Sequence, residues 1–319
     1  MSMLKVVRLA FAAAVLSTIG FAPAMADSYP EKPITLIIPL GAGGSHDLNA
    51  RAFTSVIPTY LGQAVVVKLM PGAGGQTGTA AAVQAKADGH TLLFTHNYID
   101  QLQQHVEKLP YNPTKDLVTV ARLNYATASI VVRADKPWKT LKEMFDYGKA
   151  NPGKLVFGHS GNWGAIMAPG ALILKEAGVD ATLVPFKGGG PAMKALLSGD
   201  SDFTMAFPSV IEGQGDNIRT LASGGEARLF KDVPTLKELG FSADTGLMHR
   251  VVMAPRGISE DHLKVLAEAF EKLNGDKTYK KLMGRLGENT ELMSGKDYEA
   301  VRTSQSGEYK KLVEKLTGN

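Results

Sequence analysis

The 319-residue chain contains no cysteine. Disulfides and thiolate metal sites are therefore excluded, as is a lipid anchor on the cysteine that follows a lipoprotein leader. The formal net charge is only +4, and no run of lysine or arginine is interleaved with aromatics, so nucleic-acid binding has no support. Beyond the N-terminus no segment stays apolar for the roughly 20 residues that a membrane span needs. Seven histidines are present (His46, His90, His96, His105, His159, His249 and His262) without the His-Glu-x-x-His spacing of zinc enzymes, and neither a metal nor a cofactor is expected.

The N-terminus has the composition of an export signal. Lys5 and Arg8 precede an apolar stretch over residues 9–21, and Ala24-Met25-Ala26 supplies small residues at a cleavage spacing. The apolar stretch is too short for a membrane anchor. Residues 1–26 are read as a signal peptide cleaved after Ala26, which leaves a diffusible periplasmic protein with a net charge of +2. A remainder of this length divides into two lobes more readily than it fills one core.

Short apolar runs alternate with helical patterns, so the expected fold is α/β with largely parallel sheets. Strands are expected over 34–39, 64–69 and 91–95, with a helix after the first that Pro58 shortens and Gly62 stops. Residues 118–133 form a long extended stretch that suits a chain crossing between lobes. Beyond it, Thr140-Leu141-Lys142-Glu143 is a capping box, and strands follow over 155–157, 182–186, 203–207 and 219–223. A strand over 251–255 and a helical C-terminal part complete the chain. Residues 27–127 and 227–319 are assigned to one lobe and 128–226 to the other, joined by two strand crossovers around a cleft.

Four glycine-rich turns stand between a strand and a helix: Gly41 to Gly44, Gly72 to Gly75, Gly158 to Gly164, and Gly188 to Gly190. Glycine lets a ligand approach the backbone, and the free N–H groups of a helix N-terminus favour an anion without any lysine or arginine. Any one such turn also serves a tight connection in a sheet. Two turns from each lobe, at the carboxyl ends of strands, would meet in one cleft. The enzymatic motifs fail on spacing. His46 and Thr77 stand where a dinucleotide fingerprint needs its third glycine, no Gly-Lys-Ser/Thr follows, and Asn162 replaces the second glycine of a nucleophile elbow around Ser160. No catalytic residue is assigned. His46, His96 and His159 lie at strand-to-helix turns, where each can meet a ligand or serve as a supporting or surface residue.

Tyr29-Pro30-Glu31-Lys32-Pro33-Ile34, the turn from Pro39 to Asp47, Pro71-Gly72-Ala73-Gly74-Gly75, Asp88-Gly89-His90-Thr91-Leu92-Leu93, Phe186-Lys187-Gly188-Gly189-Gly190-Pro191-Ala192, Asp232-Val233-Pro234-Thr235-Leu236 and Ala254-Pro255 together resemble the Bug family. These are substrate-binding proteins of tripartite tricarboxylate transporters. The resemblance implies a two-lobed periplasmic binding fold that closes on an organic acid, held by backbone amides and small hydroxyls. It implies ligand contacts at Gly43, Gly44, Ser45 and Asp47 in the first lobe and at Ser160 and Gly161 in the second. Asp47 suits a loop-shaping role better, because its carboxylate repels an anion. Thr95, His96 and His46 join the candidate set, as do Lys187 and Gly188, with Lys187 equally suited to a structural role.

The chain departs from the family pattern at Asn162-Trp163-Gly164, where Gly then Ser is usual. Trp163 either narrows the pocket or packs on a lobe surface. Arg250 stands where an aromatic residue is common and is a candidate for a second ligand carboxylate or for an inter-lobe ion pair. The resulting expectation is a non-enzymatic, monomeric receptor for a small mono-, di- or tricarboxylate, aromatic acids included, that serves the integral membrane subunits of a transporter. A sensory partner of a signalling receptor and an exported serine hydrolase are the alternatives.

Overall fold

The computed structural model describes residues 29–241 and 246–318, so the expected signal peptide lies outside the described residues. In chain order the elements are β1 (Ile34–Ile38), α1 (Ser45–Thr54), α2 (Pro58–Leu61), β2 (Val65–Leu69), α3 (Gln76–Val83), β3 (Thr91–His96), α4 (Pro113–Asp116), β4 (Leu117–Ala126) and β5 (Ser129–Arg133). They continue with α5 (Leu141–Ala150), β6 (Leu155–His159), α6 (Met167–Ala177), β7 (Ala181–Pro185), α7 (Gly189–Ser198), β8 (Phe203–Ala206), α8 (Pro208–Ile211) and β9 (Ile218–Ser223). The last are β10 (Met248–Pro255), α9 (Glu260–Gly275), α10 (Lys277–Arg285), β11 (Met293–Ser294) and α11 (Gly295–Thr317).

Local chemistry explains most boundaries. Pro58 opens α2 as its first helical residue, and Gly62 ends it at φ 70°. The Thr140 hydroxyl accepts the N–H of Glu143 at 3.2 Å and starts α5, which buries Leu141, Met144, Phe145 and Gly148 along one face. Ser259 and Ser294 cap α9 and α11 in the same way. The helix after the second glycine turn starts at Gln76, directly after Gly75.

Two sheets form, ordered β11-β4-β10-β3-β1-β2 and β7-β6-β8-β5-β9. β1 runs parallel to β2 and β3, and β6 parallel to β7 and β8. The expectation of largely parallel sheets needs correction, because β10 is antiparallel to β3 and β4, and β5 is antiparallel to β8 and β9. The cause is the crossover: only Thr127 and Ala128 separate β4 in one sheet from β5 in the other, so one long stretch serves both sheets and runs against its neighbours.

Each sheet has its own core. Ile34, Leu36, Phe53, Phe94 and Phe270 fill the first, and Ile130, Phe157, Leu172, Phe203 and Met205 the second, where Phe157 and Phe203 stack at 4.8 Å. Each such side chain contributes roughly 1.5–3 kcal/mol by burial. α11 spans both sheets. Its first half holds Arg302 in a two-bond ion pair with Asp100, both bonds 2.7 Å, whereas Tyr309, Leu312 and Val313 enter the second core and Lys315 pairs with Glu176 at 2.7 Å.

Candidate functional site

The four glycine turns meet in pairs, one from each sheet. β1 runs into the turn that starts α1, and β7 into the turn that starts α7. Gly41 donates its N–H to the Lys187 carbonyl at 2.8 Å, which joins these two turns. A Cβ on Gly44 would stand 3.2 Å from the Gly190 nitrogen and 3.5 Å from that of Gly189. Gly190 is pressed closer still. A Cβ there would fall on the Ala42 carbonyl and stand 2.7 Å from the Gly44 nitrogen, so only glycine fits. In the second pair, a Cβ on Gly161 would stand 3.2 Å from the Gly74 Cα, and Gln103 donates to the Gly74 carbonyl at 2.8 Å.

Neither α1 nor α7 has a side-chain N-cap, because Gly44 and Gly188 stand at the cap positions. The first N–H groups of two ten-residue helices therefore approach from opposite lobes with the positive ends of their dipoles. An anion between them satisfies both and offsets their mutual repulsion. Asp47 shapes this turn rather than lining it. It is buried, accepts the Gly43 N–H at 2.9 Å and pairs with Arg51 at 3.0 Å, with Gly43 held at φ 72°.

Behind the joined turns lies a cavity with about 20 Å³ of free volume, bordered by Leu40, Gly44, Ser45, His46, His96, Ser160, Gly189 and a set of apolar side chains. That space holds about one water molecule, less than any organic acid needs. A second cavity of about 240 Å³ lies on the other side of Leu40 and Ser160, lined by Gly72 to Gly75, Gly161, Asn162 and Lys187. The Lys187 side chain is exposed there, while its carbonyl makes the inter-lobe bond. Gly188 sits at φ 118°, where a Cβ would meet the Gly41 nitrogen at 2.8 Å.

The cavity's two imidazoles are neutral. Burial, the neighbouring His96 ring and the Arg250 charge push the His46 pKa well below its usual value, and burial with Arg250 lowers that of His96 to about 3. His46 donates from Nε2 to the Thr95 carbonyl at 3.1 Å, which leaves Nδ1 as its acceptor. Thr95 thus acts through its backbone and is fully buried. His159 is occupied by the Gly161 carbonyl at 3.1 Å.

Two expected specificity residues stand elsewhere. Trp163 does not narrow the inner cavity. With its backbone at φ 54°, it packs on the second core and borders a separate cavity of about 360 Å³ with His105, Lys310 and Val313. Gly164 lies beneath it, buried, and donates to the Gly161 carbonyl at 3.4 Å. Arg250 is not open to a ligand either. It is 0% exposed and makes two 2.8 Å bonds to Glu288 and one of 3.1 Å to Asn124. The pair lies within one lobe, but Glu288 also accepts from the Ser209 hydroxyl of the other at 2.6 Å.

Residues absent from the expected set include Leu40, Gly189, Ile166, Met205, Phe207, Val210 and Met248, all bordering the inner cavity. β8 and β10 were legible as strands, and their ends bring Met205 and Met248 to the cleft. Nothing in a local pattern marks which apolar residue faces a ligand rather than a core.

Comparison with known proteins agrees with this geometry. Residues 50–317 match the model of the tripartite tricarboxylate transporter family receptor. A Cupriavidus necator protein is 33% identical over 307 residues, spanning 92% of this chain and 90% of its own, and BugT of Bordetella pertussis is 32% identical over 249 residues, 76% of each. The structure of the periplasmic binding protein BugD superposes with a TM-score of 0.86 at 25% identity, covering 91% of this chain and 99% of that one. MatC of Rhodopseudomonas palustris, solved with bound malate, gives 0.85 at 26% identity over 89% of this chain and all of that one. BugD is a periplasmic binding protein and MatC holds malate, and with the family model matched over most of its length, the chain belongs to the tripartite tricarboxylate transporter receptor family, as a solute-binding protein of the Bug type.

Proposed function

We propose that this chain is a periplasmic receptor that captures a small organic carboxylate by lobe closure and presents it, as a monomer, to the membrane subunits of a tripartite tricarboxylate transporter. The observation that carries the reading is the approach of two uncapped helix N-termini, α1 and α7, from opposite lobes. A carboxylate between Gly44, Ser45 and Gly189, with the Ser160 hydroxyl beside them, contacts both lobes only when they are closed, so binding favours closure. MatC, with its bound malate, supports the ligand class.

Residues 1–26 act as the export leader in this reading, which fits the periplasmic relatives, and among the described residues no helix is long and apolar enough to cross a membrane. The lobe boundaries near 127 and 226 are the hinge. Native mass spectrometry of the protein purified from its own periplasm, followed by thermal shift against a carboxylate panel, tests the proposal. A bound organic acid and a raised midpoint are expected. A protein that carries none and responds to none contradicts it.

A further inference from the structure

The inner cavity differs from a polycarboxylate site in its charge. No lysine, arginine, aspartate or glutamate borders it among the described residues. Arg250, the cation that acts on both cavity histidines, is consumed by Glu288 and lies behind the Phe207 ring, 5.5 Å from its centroid. His46 and His96 add no charge, because burial and Arg250 keep both rings neutral. The two helix N-termini serve one carboxylate.

The opposite wall is apolar: Ile166, Met205, Phe207, Val210 and Met248. A second carboxylate against these side chains would lose its water and gain no partner. One titratable side chain at the cavity edge has an unused hydrogen-bonding atom. His96 is 3% exposed, borders the cavity, and its Nδ1 has no hydrogen-bond partner. A buried imidazole nitrogen without a partner is costly unless a ligand meets it.

We infer that the occupant is a monocarboxylate with an apolar body that carries one neutral hydrogen-bonding group for His96. This rests on the carboxylate-receptor reading above and narrows it. The uncharged apolar wall selects the body, and the neutral imidazole selects a hydroxyl-type substituent over a charged one.

Calorimetric titration with isovalerate, α-hydroxyisovalerate, benzoate, meta-hydroxybenzoate, succinate, adipate and citrate tests the inference. At least one apolar monocarboxylate should bind about tenfold or more tighter than every polycarboxylate, and its hydroxylated form tighter again. His96→Leu should cost the hydroxylated acid about tenfold, the worth of one hydrogen bond to a buried group, while the parent acid changes less than about threefold. Succinate, adipate or citrate binding tightest would overturn the inference and leave the receptor reading intact, with the outer cavity at Lys187 taking the second carboxylate. No binding by any of the seven acids would overturn both. Loss of the parent and hydroxylated acids alike in folded His96→Leu would remove His96 from recognition, and if that variant does not fold, the wild-type ranking decides the class.

Discussion

The Gly41 N–H and the Lys187 carbonyl, 2.8 Å apart, tie the turn after the first strand of one sheet to the turn before α7 on the other. This bond joins the two lobes directly, and around it the two helix N-termini come within contact distance. In the proposed function, closure and anion binding are therefore coupled, because the anion offsets the repulsion between the two termini.

Gly190→Ala separates closure from folding. Position 190 lies in the first turn of α7, where alanine is favoured over glycine in an isolated helix, so the lobe itself should be unharmed. In the closed form the added methyl would strike the Ala42 carbonyl and the Gly44 nitrogen. Thermal midpoint should change by no more than a few degrees, whereas carboxylate affinity falls at least about tenfold and small-angle scattering shows the open form with ligand present.

Glu288→Gln strands the Arg250 guanidinium, which is 0% exposed and donates two bonds to that carboxylate. Removal of one partner from a buried pair costs about 3–5 kcal/mol, and urea unfolding should register a loss of that order. Ser209→Ala removes the 2.6 Å inter-lobe bond to Glu288 and the 3.4 Å bond that the hydroxyl accepts from Asn49, and keeps the Ser209 N–H bond to Glu288. Its effect should appear mainly in ligand affinity, with a stability loss near 1–3 kcal/mol at most.

Stability should fall on mild acidification. The unfolded chain takes up imidazole protons near pH 6.5, whereas burial, with Arg250 and Arg122 respectively, delays uptake in the fold to about 3 at His96 and about 4 at His249. Between these values the unfolded state holds more protons, so stability is complete above about pH 6.5 and is lost as pH drops toward 3–4. Each imidazole contributes up to about 1.4 kcal/mol per pH unit. Urea titrations at successive pH values should show this slope, shallower in His96→Leu.

Trp163→Ala should leave ligand ranking unchanged within about twofold, because the indole borders a cavity beside α11 and not the joined turns. Some stability is lost through its contact with the second core, on the order of 1–3 kcal/mol. A change of preferred acid on titration would return Trp163 to the cleft.

What was legible in the sequence follows from where the information resides. The glycine turns were readable because close backbone approach demands glycine at a strand end, and the caps and strands are local patterns. Arg250 and Trp163 were not, because the direction of a side chain depends on partners distant in the chain: Glu288 lies in an irregular stretch after α10, with no periodicity to flag it. The antiparallel strands escaped for a related reason, since parallel and antiparallel neighbours share one hydrophobic pattern until the crossover is known. α11, read simply as C-terminal helix, spans both sheets, with Tyr298 packed on the first and Tyr309, Leu312 and Val313 in the second core.

The central claim, that two facing helix N-termini hold a carboxylate, is tested most directly by titrating the wild-type chain with its best-binding carboxylate and with the matching carboxamide. The pair has one shape and differs in charge. The carboxylate should bind at least about a hundredfold tighter, equivalent to about 2.8 kcal/mol, with the preference largely lost in Gly190→Ala. Equal binding of acid and amide, or an undiminished preference in the variant, would contradict the account.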